Sequence, residues 1–102
     1  MKALKLEDRT VALIELDSTN TETELKAMQQ AVGGYIESVT IAEDAALLVD
    51  EEGLLKNLGQ NALASLVARR QIVGTALLVG IDGERYCDPP ERYVRNLLLL
   101  GT

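Results

Sequence analysis

Histidine, phenylalanine and tryptophan are absent from this 102-residue chain, and cysteine occurs once, at position 87. Without histidine, no Ser-His-Asp or Cys-His arrangement can activate a nucleophile, and the common Cys/His zinc sites are excluded. Ser-Lys chemistry stays formally open, but no Ser-x-x-Lys spacing occurs. Tyr35, Tyr86 and Tyr93 are the only aromatic residues. The core is therefore expected to be aliphatic, and a platform on which bases stack is not expected. A lone cysteine makes no internal disulfide, and the opening MKALKLEDRT holds no apolar run of the kind a signal peptide needs. Both points favour the reducing cytoplasm. The apolar clusters at residues 45–49 and 97–100 fall far short of the roughly 20 residues of a membrane helix, so a soluble protein without a membrane partner is expected.

What is present is ordinary globular composition, 47% hydrophobic and 25% charged, in a length suited to one domain spanning residues 1–102. The net charge of −6 is unevenly spread. Residues 15–53 hold ten acidic groups against Lys26 alone, a sum of −9, while the flanking segments sum to +1 and +2. A nucleic-acid binder displaces counterions with a positive surface, and this half of the chain presents the opposite sign. No direct nucleic-acid partner is expected.

Lys2 to Leu6 and Thr10 to Leu16 are strand-like runs joined by a polar Glu7–Thr10 connection, which predicts a hairpin with one well-buried face. Thr21 with Glu24 has capping-box spacing, and Leu25, Met28 and Val32 follow at helical intervals until Gly33 and Gly34 stop the helix. Tyr35 to Ile41 alternates as a strand with Glu37 on its more apolar side. Ala45 to Val49 is apolar on both faces, as a central strand would be. Leu54 to Gln60 suits a compact loop or a single helical turn. Asn61 is placed to cap a short helix, Ala62 to Arg70, burying Leu63, Leu66 and Val67. Ile72 to Ile81 reads as a strand interrupted by Gly74, and Asp82-Gly83 as a hairpin turn. Asp88, Pro89 and Glu91 mark a last helix, with Asp88 as cap and Tyr93, Val94, Leu97, Leu98 and Leu100 facing the core. The sum is an α+β fold: a mainly antiparallel sheet of five to six strands, with two longer helices and one short helix packed on one face.

Each candidate site has a structural alternative. Asp50, Glu51 and Glu52 could hold a hard cation, yet they lack the alternating ligands of a calcium loop, and a solvated turn explains them as well. Glu37 would serve as a general acid or base if buried; an open strand edge or an arginine partner explains it otherwise. Cys87 before a helix start could be activated by the dipole, or could simply fill space. Gly80-x-x-Gly83 is better read as a hairpin than as a phosphate loop, because its centre holds Ile81 and Asp82. Arg69, Arg70, Arg85, Arg92 and Arg95 either gather into an anion pocket or lie scattered. No catalytic, cofactor-binding or metal-binding residue is assigned, and no cofactor is expected.

An opening MKAL strand, a helix running into AVGGYIE, an apolar strand ending in DEEG, the segment LLKNLGQNALA, and IVGTALLVG followed by DGE occur in that order over most of residues 1–85. This succession resembles a small family of uncharacterised domains of unknown function encoded by bacteriophages, plasmids and their bacterial hosts. The resemblance implies a mobile-element context and no particular activity. The surface to which it draws attention comprises Gly34, Tyr35, Glu37, Asp50, Glu51 and Glu52. With the acidic half and the missing catalytic groups, it leads to the expectation of a non-enzymatic accessory or inhibitor module that binds an unidentified protein partner. The alternative is a small-ligand or nucleotide-sequestering protein, working as a homo-oligomer.

Overall fold

Strand Ala45–Asp50 (β4) is buried at every residue, as its two-sided apolar pattern requires, and the rest of the architecture is built outward from it. The computed structural model describes the backbone of residues 1–100 and the side chains of residues 1–99; the expectation for Leu100 lies outside the described side chains. In chain order the elements are β1 (Lys2–Glu7), β2 (Thr10–Glu15), α1 (Thr21–Val32), β3 (Ile36–Ala42), β4, α2 (Ala62–Ala68), β5 (Ala76–Asp82), β6 (Arg85–Cys87) and α3 (Glu91–Leu100). The strands form one antiparallel sheet in the order β2-β1-β5-β4-β3. β6 continues along β5 beyond the end of β1. The expected α+β class, six strands and three helices are all present.

The helices are not all on one face. Leu47, Val49, Leu78, Leu4 and Leu6 pack with Ala64 of α2 and Leu97 of α3. Their neighbours of opposite parity, Leu48, Leu77, Val79 and Ala3, pack with Met28 and Val32 of α1. A central strand that is apolar on both faces needs a cover on both, so α1 lies on one side and α2 with α3 on the other. The same geometry makes β2 an edge strand without a well-buried face: Val11 touches one core, Ile14 the other, and Leu13 is exposed.

Several local expectations shift. Asn20, not Thr21, caps α1; its side chain accepts from the Thr23 amide at 2.9 Å. Gly33 ends the helix at φ 95°, in the left-handed region, as expected. Leu25 is 41% exposed, because α1 meets the sheet through Met28 and Val32 with Ala27 and Ala31 beside them. Leu66 is likewise exposed, and Ala64 is the residue α2 buries completely. β5 starts at Ala76 because Gly74 takes a positive φ, leaving Ile72 buried outside the strand. Asp82 pairs with Arg85, so the turn residues are Gly83 and Glu84, with the positive φ at Gly83. Asp88 does not cap α3: the Pro90 carbonyl takes the first helical bonds, while the Asp88 carboxylate accepts the Lys2 amide at 2.7 Å. That contact joins β1 to β6 where the two meet along β5. Arg92 ties α3 to the β3-β4 turn through two bonds to Asp44, of 2.8 and 2.6 Å.

Candidate functional site

β4 delivers Asp50 into the bend that ends the acidic half. Its side chain is 1% exposed, which corrects the reading of residues 50–52 as a uniformly solvated turn. One carboxylate oxygen accepts the Glu52 amide at 2.8 Å and the other the Lys56 ammonium at 2.7 Å. The Lys56 hydrogen bond, seconded by the Glu52 amide and working against burial, holds the Asp50 carboxyl below its usual range; the same bond raises Lys56. Lys56 Nζ also reaches the Gly33 carbonyl at 3.3 Å, so a single ammonium joins the bend to the end of α1. A Cβ at Gly34 would lie 2.7 Å from that nitrogen and 2.8 Å from Asp50 Oδ2. The paired glycines thus have separate duties: Gly33 turns the chain and Gly34 leaves room for the ion pair.

Two grooves flank this bend on opposite faces of the sheet. On the α1 side a groove of about 460 Å³ is lined by Lys26, Gln29, Gln30, Gly34, Tyr35 and Glu52 among others. On the α2 side one of about 360 Å³ is lined by Glu37, Asp50, Glu51, Leu54, Leu55 and Arg70 among others. The six surface residues expected to act together are therefore divided between two grooves around one corner. Tyr35 is 66% exposed, Leu54 78% and Leu55 85%, so large apolar groups stand in water beside exposed Glu37, Glu51 and Glu52. Exposure of Glu37 removes the burial on which an acid-base role for it would rest. Reasoning from sequence overlooked Lys56, whose partner lies six positions back across an aperiodic loop, and the adjoining Leu54-Leu55 pair, whose outward direction only the folded bend sets.

The five arginines are placed on different elements. Arg69 is the left-handed C-cap of α2, Arg70 lines the second groove, and Arg85 lines a separate groove against Thr21 and Glu24 of α1. Arg92 is engaged by Asp44, whose carboxyl it holds below the usual range, and Arg95 is exposed on α3. Cys87 is half-buried; burial first, then the negative charges of Asp82, Asp88 and Asp44, pushes its thiol up, the reverse of activation. Among the described residues, no three Cys, Asp or Glu side chains gather to hold a metal ion, and no helix is long and apolar enough to cross a membrane.

No curated protein and no solved structure matches the chain. A family described as Domain of unknown function (DUF3846) matches across residues 1–98, nearly the whole sheet-and-helix unit described above. The ordered sequence blocks had implied a family of this uncharacterised kind, and the protein belongs to that family.

Proposed function

We propose that this protein is a non-enzymatic accessory or inhibitor module that binds a protein partner through the end of the sheet around the Asp50–Lys56 bend. The observation that carries this reading is the exposed pair Leu54 and Leu55 in the groove that exposed Glu37 and Glu51 also line, with exposed Tyr35 and Glu52 in the groove on the other side of the bend. Protein interfaces combine aromatic and aliphatic anchors with a polar rim, and solubility alone gives no reason to leave these large apolar groups uncovered on either side of the bend. The −9 charge of residues 15–53 would steer a basic partner towards the corner. The mobile-element context implied by the sequence blocks suits a chain that acts by occupying another protein. The test is quantitative affinity capture from host cells with the wild type and with a Glu37→Lys, Glu51→Lys, Leu54→Ser, Leu55→Ser variant. A partner enriched by the wild type and lost by the variant supports the reading; capture that is identical for both refutes it.

The second reading, a small-ligand or nucleotide binder acting as an oligomer, draws on the groove beside α1. Its volume of about 460 Å³ suits a small molecule, and Lys26, Lys56, Gln29 and Tyr35 would supply donors. A nucleotide mixture that leaves the melting temperature unchanged removes it.

A further inference from the structure

β3 closes the sheet at the acidic end and, among the described residues, pairs with β4 alone. The Glu51 amide donates to the Tyr35 carbonyl at 3.0 Å, one position beyond the paired Ile36 and Asp50. In an antiparallel ladder such bonded pairs recur at every second residue. Glu37 and Val39 therefore bond inward to β4, and the amides and carbonyls of Ile36, Ser38 and Thr40 face away from the sheet. This row ends at the irregularity between Thr40 and Ala42. Exposed strand edges invite another strand, and natural proteins blunt them with lysine, proline or cover. The sequence IESVTIA contains neither residue; its one charge is the acidic Glu37, and its one irregularity lies past Thr40, at the end of the row.

We propose that the β3 edge accepts an extended segment of a partner protein as an additional strand, and that this segment carries arginine or lysine at alternate positions. The proposal rests on the partner-binding reading above and names the docking mode and the chemistry of the partner. A strand laid along Ile36–Thr40 directs its side chains alternately to the two faces, where the two grooves lie. At β2, the opposite edge, a smaller pocket of about 170 Å³ lies near Lys2 and Leu13. Within the groove on the α2 face, Asp50 is neutralised by Lys56, which leaves Glu37 and Glu51 against Arg70. A long basic side chain can lay its aliphatic stem on Leu54 and Leu55 and place its charge on the two carboxylates. A second copy of this chain offers little of that chemistry at its unpaired edges: neither β3 nor β2, TVALIE, contains a basic residue, and the three-residue β6 carries Arg85 alone, too short to supply alternate positions.

The probe is a capped eight-residue peptide alternating arginine and valine, with an alternating glutamate and valine peptide as control. The arginine peptide should bind the full chain and slow hydrogen exchange at the amides of Ile36, Ser38 and Thr40. Glu37→Arg should weaken it about tenfold or more by like-charge contact and should improve the control. Ser38→Pro removes an outward donor and no bond to β4, so it should abolish binding while β4 amide protection shows the sheet intact. Equal binding of the two peptides, protection elsewhere, no binding at millimolar peptide, or dimerisation through β3 in place of peptide binding each overturns the proposal. A protein partner that the corner variant loses but that binds Ser38→Pro unchanged overturns the added strand and leaves the partner-binding reading standing. Identical capture by wild type and corner variant removes that reading instead.

Discussion

Replacing Asn61 by aspartate separates two views of this residue. As a helix cap, the role its sequence position predicts, it needs only a side-chain oxygen to accept the Ala64 amide, which it does at 3.0 Å, and aspartate caps equally well. In the fold, however, Asn61 is 1% exposed, and its amide nitrogen donates to the carbonyls of Leu6 and Gly74, each at 2.8 Å. It thereby binds α2 to β1 and to the segment leading into β5. Aspartate turns both donors into an acceptor facing two carbonyl oxygens in a buried place. Losing two buried hydrogen bonds costs about 1 to 1.5 kcal/mol each, and confining a carboxylate there adds to this, so a total of about 3 kcal/mol or more is expected. Asn61→Ala should lose a similar amount, about 1 kcal/mol from the cap and the rest from the two carbonyls. Urea unfolding followed by circular dichroism reads the difference, with an unchanged m-value confirming that native-state stability moved. Asn61→Asp remaining within about 0.5 kcal/mol of the wild type would refute the argument and restore the simple cap.

Three further outcomes are expected. Gly80→Ala should destabilise by about 3 kcal/mol in the same assay, because the new methyl would overlap the Asp88 carbonyl and meet Cys87 Sγ at 2.7 Å; a soluble, equally stable variant contradicts that packing. Met28→Ala should cost about 2 to 3 kcal/mol, whereas Leu25→Asp, on the exposed side of α1, should cost clearly less; the reverse order would mean that α1 is rotated. The folded Asp50 carboxyl lies below its unfolded value, so its contribution is complete above the ordinary carboxylate range. On acidification the unfolded chain takes up this proton first, and the contribution falls until the folded carboxyl also protonates. Wild type should therefore lose stability more steeply than Asp50→Asn between about pH 5 and about pH 2, in urea titrations across that range. Parallel curves would show that the Lys56 pair adds nothing.

Much of the fold was legible because its signals are local. Two-sided apolarity marked β4, Gly33 marked the end of α1, and helical spacing placed Tyr93, Val94, Leu97 and Leu98 against the core. Errors arose where a group had a better partner far along the chain than the one nearby. Asp88 looks like a cap beside Pro89, yet its carboxylate serves Lys2, 86 residues away. Leu66 has the spacing of a core residue, but a seven-residue helix lying on small Ala64 brings only a narrow stripe against the sheet. The candidate corner was legible in composition but not in geometry: nothing local distinguishes buried Asp50 from its exposed neighbours Glu51 and Glu52.

By itself the sequence determined the secondary elements, the aliphatic core, the concentration of negative charge in residues 15–53 and the absence of histidine chemistry, since each follows from residue type and short-range spacing. Tertiary structure alone decided that helices cover both faces, that Lys56 neutralises Asp50, and that Ile36, Ser38 and Thr40 turn their backbone groups outward at the end of the sheet. The physical reason is that strand order, ion pairing across a bend and the phase of a hydrogen-bond ladder depend on contacts between segments distant in sequence, which no local pattern encodes.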